Sequence, residues 1–446
     1  MRIAVVGAGI IGVTTAYELS VEGHQVTVFE RRAGVAAETS FANAGLVAPG
    51  YVTPWAAPGM PGKVMRHLFS RHAPVRLHAN LDIGWGLKWW RACQPETYRA
   101  NRLRMQRLAF FSRDRLQDIT RHLRLDYERR PGYLVLLRGR DDLAMVEPGL
   151  ATLSALGTRF ERLEPAQCRA IEPGLCADTP LHAGIHLPDD EVGNCRQFAM
   201  LLRKQAERIG ARFRFNTTVE RLEPGAKPGV VVVRAPHVRA THPSSAGSSS
   251  SPTEDWPDTR PLTPEPATEV FDAVVVCAAL GAVPLLRPLG LALPLQAVYG
   301  YSVTAPLRRH DDPGFGPRSA LMDERYKVAI SRIGTRIRVA GSAEFGGSPL
   351  RHHAGALATL HKVLHDWFPA SARISQAQTW KGARPMLPDG PPVLGASGLP
   401  GIWLNLGHGS SGWALSCGSA RVVADAIAGR ASPIDIEGLG LDRLRR

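Results

Sequence analysis

The residues Val5-Val6-Gly7-Ala8-Gly9-Ile10-Ile11-Gly12 restrict this chain more than any others. They close an apolar run that starts at Ile3 and has the length of one buried strand. They open a stretch, Val13 to Glu22, that reads as a helix. In such a turn the first glycine permits a tight bend and the second lets backbone approach a pyrophosphate. The third lets helix and strand pack closely. The helix N-terminus then directs free N–H groups at the phosphates. Val6, Gly7, Ala8, Gly9, Ile10, Ile11 and Gly12 are therefore candidate cofactor contacts. After Gly23 the run Gln25-Val26-Thr27-Val28-Phe29 reads as a second strand ending on Glu30. A ribose-binding acid belongs about 20 residues beyond the glycines, so Glu30 takes that role, with Arg31 beside it. Strand, helix, strand and acid in this order predict a dinucleotide-binding unit.

The unit occupies a small part of a chain of 446 residues, long enough for two or three domains. No apolar run approaches the ~20 residues of a membrane span. The N-terminus runs straight into the first strand and does not read as a signal peptide. The six cysteines show neither CxxC nor metal-ligand spacing, which predicts reduced thiols, a cytoplasmic setting and no metal. The net charge of +14 favours contact with something anionic. Between residues 51 and 113 eleven Lys and Arg face only Asp82, Glu96 and the tryptophans 85, 89 and 90 that are interleaved with them. That mixture suits a peripheral contact with a membrane surface. The alternative is a solvated basic helix face over buried tryptophans. No RNA-binding module is evident, and no nucleic-acid partner is expected.

Further elements follow from periodicity. A long helix is expected over 97–122 with Leu103, Leu108, Phe111, Leu116 and Ile119 on one stripe, and one over 141–156 interrupted at Pro148. Strands are expected at Tyr133 to Leu137, Gly184 to Pro188, Arg212 to Phe215, Thr218 to Leu222 and Val230 to Val233. A helix capped by Asn194 runs to Ile209. Residues 224–268 carry a Ser/Pro-rich run and read as a flexible low-complexity insert. Val274 to Cys277 is a buried strand ending in small residues, so Ala278 and Gly281 mark another close approach of backbone to cofactor. Strands near 295–304, 327–330 and 336–340 read as a second, antiparallel sheet.

The tail repeats the logic of the head. The strand Ile402 to Leu406 leads into Gly407-His408-Gly409-Ser410-Ser411-Gly412 and a helix of small residues. A helix N-terminus left open by Gly407, Gly409 and Gly412 stabilises the negative charge that a flavin ring develops on accepting a hydride. A nicotinamide enzyme needs no such second clamp, so head and tail together predict non-covalent FAD. The small polar stretch after Glu30, with Thr39, Ser40, Asn43, Ala44 and Gly45, suits backbone and hydroxyls lying along that cofactor. Arg384, in Gly382-Ala383-Arg384-Pro385, is the best anchor for a substrate carboxylate, because a guanidinium binds one bidentately. Tyr299 and Tyr301, two apart on a strand, are candidates to help it. His408 is a candidate for positioning the substrate, with a structural hydrogen bond as the alternative.

Several stretches together give the chain a family likeness. These are Val6 to Gly12, Glu38 to Gly45, Pro49-Gly50-Tyr51 with Pro54 to Gly59, Gly300-Tyr301-Ser302, Gly341 to Phe345, Arg384-Pro385-Met386 with Pro388-Asp389-Gly390, and Gly407 to Trp413. The chain resembles the FAD-dependent D-amino-acid oxidase superfamily, and within it the bacterial D-amino-acid dehydrogenase (small subunit) group. The resemblance spans nearly everything except 224–268. It implies an α/β protein in which a Rossmann-like FAD-binding domain (1–50, 185–290 and 386–446) interleaves with an α+β substrate domain (51–184 and 291–385) built on a mixed, largely antiparallel sheet. It implies oxidation of a D-amino acid to an imino acid, then hydrolysis to a 2-oxo acid and ammonia, with electrons passing to a quinone or an electron-transfer partner. By the same resemblance Arg384 is the carboxylate arginine and Val219 the backbone position that meets adenine. The chain departs from the group at Tyr299, where a lysine is expected before Gly-Tyr-Ser. A glycine or sarcosine oxidase shares the fold-level motifs, and a tRNA-modifying flavoprotein is the more distant alternative.

Overall fold

The computed structural model describes residues 1–67, 72–78, 82–155, 157–234, 266–312 and 314–444. Most of the expected low-complexity insert, 235–265, lies outside them.

A six-stranded sheet has β1 (Arg2–Val6) at its centre. Its order is β18 (Val393–Ala396), β19 (Ile402–Leu406), β12 (Ala273–Val276), β1, β2 (Gln25–Phe29) and β8 (Arg212–Arg214). All neighbours run parallel except β18 and β19. β1 is apolar on both faces because both are covered. Ile3 and Val5 pack against helices, whereas Ala4 and Val6 pack against a three-stranded sheet of β9 (Thr217–Glu223), β10 (Gly229–Arg234) and β11 (Ala267–Val270). The helices on the first face are α1 (Ile10–Val21), α4 (Pro95–Leu123), α7 (Cys195–Arg208) and α10 (Gly412–Ile427). α7 starts where the sequence places it: the Asn194 side chain accepts from the Gln197 N–H.

The larger sheet has ten strands. Its main order is β17 (Gln378–Met386), β13 (Gln296–Pro306), β16 (Arg336–Phe345), β15 (Val328–Ile333), β14 (Ala320–Asp323), β5 (Arg130–Leu137), β7 (Ala183–Val192) and β3 (Leu46–Val47). β4 (Val75–Leu77) joins β16, and β6 (Glu161–Leu163) joins β7. Only the β14–β5 and β4–β16 pairs are parallel, so the sheet is mixed and largely antiparallel, as expected. α9 (Ala354–Trp367) covers one face. The remaining helices are short or peripheral: α2 (Met60–His67), α3 (Ile83–Ala92), α5 (Arg140–Ala155), α6 (Pro165–Ile171) and α8 (Ala282–Leu286).

Three elements differ from expectation. β7 is ten residues long and belongs to the larger sheet, although 185–290 was assigned to the cofactor side. It continues past the expected end at Pro188 through Asp189-Asp190-Glu191, where Asp190 and Glu191 are buried and Glu191 accepts from the Tyr127 hydroxyl at 2.9 Å. α4, assigned to the substrate side, packs on α1 and α10 through Met105, Leu108, Ala109, Leu116 and Ile119. Leu103 lies outside that stripe and is 47% exposed. α5 runs through Pro148 without a break.

Candidate active site

The head turn is built by close approach. Gly7 has φ +99°, and a Cβ there would stand 2.9 Å from the Cys277 carbonyl oxygen and 3.2 Å from the Ala278 Cα. The ends of β1 and β12 thus abut, which brings Ala278 beside the glycine turn; Gly281 follows in the turn after it. A Cβ on Gly12 would strike the Gly7 carbonyl, so α1 can sit on the turn only without a side chain there. Gly9 is different: the nearest atom to its missing Cβ is the Ser40 Oγ, 3.6 Å away. Gly9 is also the N-cap of α1, which has no side-chain cap. An open glycine at an uncapped helix N-terminus fits a pyrophosphate. Glu30 lies against the same turn, accepting from the Ala8 N–H at 2.7 Å and from the Arg32 N–H at 2.8 Å. Ile10 is buried and its N–H donates to the Ser40 Oγ, while Ile11 is partly buried. Arg31 pairs with Glu38 instead of facing the turn. Val219 sits in β9 opposite Val232, just past an irregularity in the pairing with β10.

The stretch from Thr39 to Gly45 crosses from this turn over the larger sheet and is tied down along its length. Thr39 Oγ1 donates to the Ala383 carbonyl at 2.7 Å, and Ser302 donates to the Ala42 carbonyl at 2.8 Å. Arg338 donates to the Asn43 carbonyl at 2.9 Å and Ser331 to the Ala44 carbonyl at 2.7 Å. The Gly45 carbonyl accepts from Trp413 Nε1 at 3.2 Å and from the Gly193 N–H at 2.9 Å. This strap fixes the distance between the glycine turn and the sheet face that carries Ser302 and Ser331.

Arg384 lies on that same face. It pairs with Val298 in register, and its guanidinium lies over Gly300, where no side chain intervenes. Nη1 donates to the Ser342 carbonyl at 2.9 Å. Ser342 has φ +62°, a conformation L-residues rarely adopt, and this holds its carbonyl toward the arginine. Among the described residues no carboxylate pairs with Arg384, and burial alone lowers its pKa to about 10. It nevertheless keeps some accessible surface. An arginine enclosed by protein, open on one side and without an acid among the described residues has the means to take up an anion. The Trp55 ring lies 5.8 Å from the guanidinium carbon, and Trp55 Nε1 donates to Ser410 at 3.1 Å. Trp55 therefore joins the arginine to the tail loop, where Gly407, Gly409 and Gly412 lead into the uncapped N-terminus of α10. Sequence reasoning named neither Trp55 nor Ser342 as a site residue. Both fall in stretches that carry the family likeness, but a backbone carbonyl leaves no trace in side-chain chemistry.

Two candidate roles need correction. Tyr299 and Tyr301 do not reach Arg384: strand alternation puts Val298, Gly300 and Ser302 on the arginine's face and the tyrosines on the other. There Lys381 Nζ lies 4.4 Å from the Tyr299 ring centre and 5.1 Å from that of Tyr301. Lys381 bonds Glu344 at 2.7 Å, and the Tyr301 hydroxyl donates to the same carboxylate. The cation expected at position 299 thus arrives from the adjoining strand. His408 also turns away from the arginine. It is buried, with Nε2 3.0 Å from the Ser419 Oγ inside α10, and burial lowers its pKa to about 3.

Comparison with known proteins covers the whole chain. The profile of the family described as FAD dependent oxidoreductase matches residues 2–426. A D-amino acid dehydrogenase of Cereibacter sphaeroides is 42% identical over 451 residues, covering 99% of this chain and 95% of the relative. One from a Methylobacterium strain is 42% identical over 457 residues, covering 100% of both chains. The crystal structure of glycine oxidase from Geobacillus kaustophilus superposes with a TM-score of 0.72 at 19% identity, covering 99% of this chain and 98% of that one.

Proposed function

The chain belongs to the family of FAD dependent oxidoreductases, and within it we propose that this protein carries out the oxidative deamination of D-amino acids. The observation that carries the substrate class is Arg384, an enclosed guanidinium beside the Trp55 ring with no acid partner among the described residues. FAD, when bound, supplies the hydride acceptor. Gly7, Gly9 and Gly12 with the α1 N-terminus would hold its pyrophosphate, and Glu30 its ribose. Thr39 to Gly45, Ala278 and Gly281 would line it, with Arg31 at the edge and the backbone at Val219 toward the adenine. The N-terminus of α10 would favour negative charge at the ring.

Arg384 binds the substrate carboxylate, and its flat seat over Gly300 sets the plane in which that carboxylate lies. Ser342 occupies one N–H of the arginine and leaves the rest for the ligand. Trp55 covers the arginine and excludes water from the ion pair, which strengthens it. Orientation at Cα then favours hydride transfer. The test is anaerobic. D-alanine is expected to bleach the flavin band of the purified protein and L-alanine to leave it; bleaching by neither refutes the assignment.

For the acceptor, a quinone or an electron-transfer protein at an anionic membrane surface fits best. No helix among the described residues is long and apolar enough to cross a membrane. α3 exposes Ile83 (79%), Leu87 (55%) and Trp90 (55%), a stripe at helical spacing, with Lys88 and Arg91 exposed beside it. Its inner face carries Trp85, which packs on Phe345 near the arginine. Leu87→Ser with Trp90→Ser is expected to weaken flotation with anionic vesicles at least tenfold and leave D-alanine bleaching intact. Equal flotation would refute the contact.

A further inference from the structure

A second group of side chains lies on the face of the larger sheet that the strap crosses and has no part in the scheme above. Tyr51 follows the strap and precedes Trp55 by four residues. Its hydroxyl donates to Glu324 and accepts from Lys327 Nζ at 3.2 Å; Lys327 also pairs with Glu324. Glu324 is 3% exposed, whereas Tyr51 keeps accessible surface. The backbone at Lys327 adjoins the strand that carries the arginine's hydrogen-bond partner. The Lys327 carbonyl lies 3.0 Å from where a Gly341 Cβ would be, and Gly341 precedes Ser342, whose carbonyl holds Arg384. Tyr51 packs with Ala44, Leu46 and Ala329, on the face the strap crosses.

The chemistry at Arg384 needs a proton acceptor. An amino acid arrives with its amine protonated, and a hydride leaves Cα only when the nitrogen has a lone pair to push with. We propose that Tyr51 and Glu324 form the relay that takes this proton: the substrate N–H bond breaks as a proton moves to the Tyr51 oxygen, and the phenolic proton of Tyr51 passes to Glu324. No electrons change hands in this step, and the pair left on nitrogen is the one used in hydride transfer. Lys327 positions Glu324 for the transfer.

The surroundings fit a relay better than a structural ion pair. Tyr133, on β5, meets the Tyr51 ring edge-on at 5.5 Å, and its own hydroxyl makes no hydrogen bond among the described residues. Asp323 is engaged elsewhere, by Arg138 and Trp367 Nε1, both at 2.7 Å. Asp190 on β7 acts on Tyr133 from beyond. Burial and Glu324 hold the Tyr51 pKa well above its ordinary value, so the hydroxyl passes protons without itself ionising.

The proposal rests on the reading of the site as a D-amino-acid oxidising one. Its test is the pH profile of kcat/KM for flavin bleaching in Tyr51→Phe and Glu324→Gln against the wild type. Each variant is expected to lose about 100-fold at pH 7. Each then regains about tenfold per pH unit as the free substrate loses its own proton. The wild type is expected to show, on substrate binding, an infrared band of a protonated carboxyl that Glu324→Gln lacks. A carboxylate without an amine, such as benzoate, is expected to perturb the flavin spectrum of Tyr51→Phe as in the wild type. Variant profiles that run parallel to the wild type at every pH, or unchanged rates, would overturn the relay alone. A wild-type flavin bleached by no D-amino acid would overturn the reading beneath it and the relay with it.

Discussion

Arg384→Leu separates function from stability, because the native residue works against the fold. A guanidinium held near pKa 10 by burial alone carries a cost on the order of 3 kcal/mol in the folded state. That cost is present at every pH below about 10. It fades only as pH rises through the folded value toward the ordinary one, since the unfolded chain keeps its proton longer. Leucine removes this cost and gives up one hydrogen bond to the Ser342 carbonyl, worth about 1.5–3 kcal/mol. The Tm of the variant should therefore stay level or rise. Binding should suffer in the opposite sense. A bidentate carboxylate pair lost at this site removes roughly 3–5 kcal/mol, or about 10²–10⁴ in kcat/KM for D-alanine. Differential scanning fluorimetry with and without benzoate, together with anaerobic bleaching kinetics, reads both effects. Benzoate should raise the Tm of the wild type and not of the variant. A fall in Tm of several degrees, or a loss in kcat/KM of less than tenfold, would refute the view of Arg384 as an unpaired anion site.

Other substitutions test the remaining parts of the site. Gly12→Ala drives a Cβ into the Gly7 carbonyl and should leave the chain insoluble or without flavin; Gly9→Ala meets only the Ser40 Oγ, at an ordinary contact distance of 3.6 Å, so it should fold and yet lose flavin affinity at least tenfold in a spectral titration. His408 sits neutral because burial lowers its pKa to about 3, so it favours the fold above pH 6.5 and takes up this stability loss as pH falls below that value, about 3 kcal/mol by pH 4. His408→Gln should flatten the stability curve between pH 6 and 4 in urea titrations and leave the alkaline side unchanged; an identical acid-side slope would refute the assignment.

Much of the architecture was legible because it depends on local rules. The head motif needs three glycines for three steric reasons, and each appears in the structure as an atom that a Cβ would strike or an opening that it would fill. The cap on α7 and the small-residue end of β12 are equally local. What escaped was information held between elements. α4 carries a stripe that could face either sheet, and only its contact with α10, where Gly418 meets Ser112, decides the matter. β7 carries three acids, and only the packing shows that Glu191 meets the Tyr127 hydroxyl while Asp189 pairs with Arg159. The site divides the same way. Arg384 stands out as an arginine between alanine and proline, but Ser342 contributes a carbonyl and Tyr51 meets partners more than 270 positions away.

The tyrosines of β13 show how far one strand's alternation reaches into function. Two tyrosines separated by one residue share a face; that part of the reasoning holds, and it removes both from the arginine. On the far face Glu344 requires a cation, and Lys381 provides it from β17 while its chain lies across both tyrosine rings. A lysine at position 299 would point into the same space. Tyrosine at 299 with lysine at 381 therefore keeps one positive charge beside Glu344 and fills the vacated volume with a ring. The change stays on the face away from Arg384, so it leaves that residue's surroundings as they were. Under the proposed function, differences in preferred side chain arise on the arginine's own face, which carries Trp55, Phe345 and Val298. Exchanging Tyr299 for lysine, with Lys381 returned to a small polar residue, should leave the ranking of D-amino acids intact.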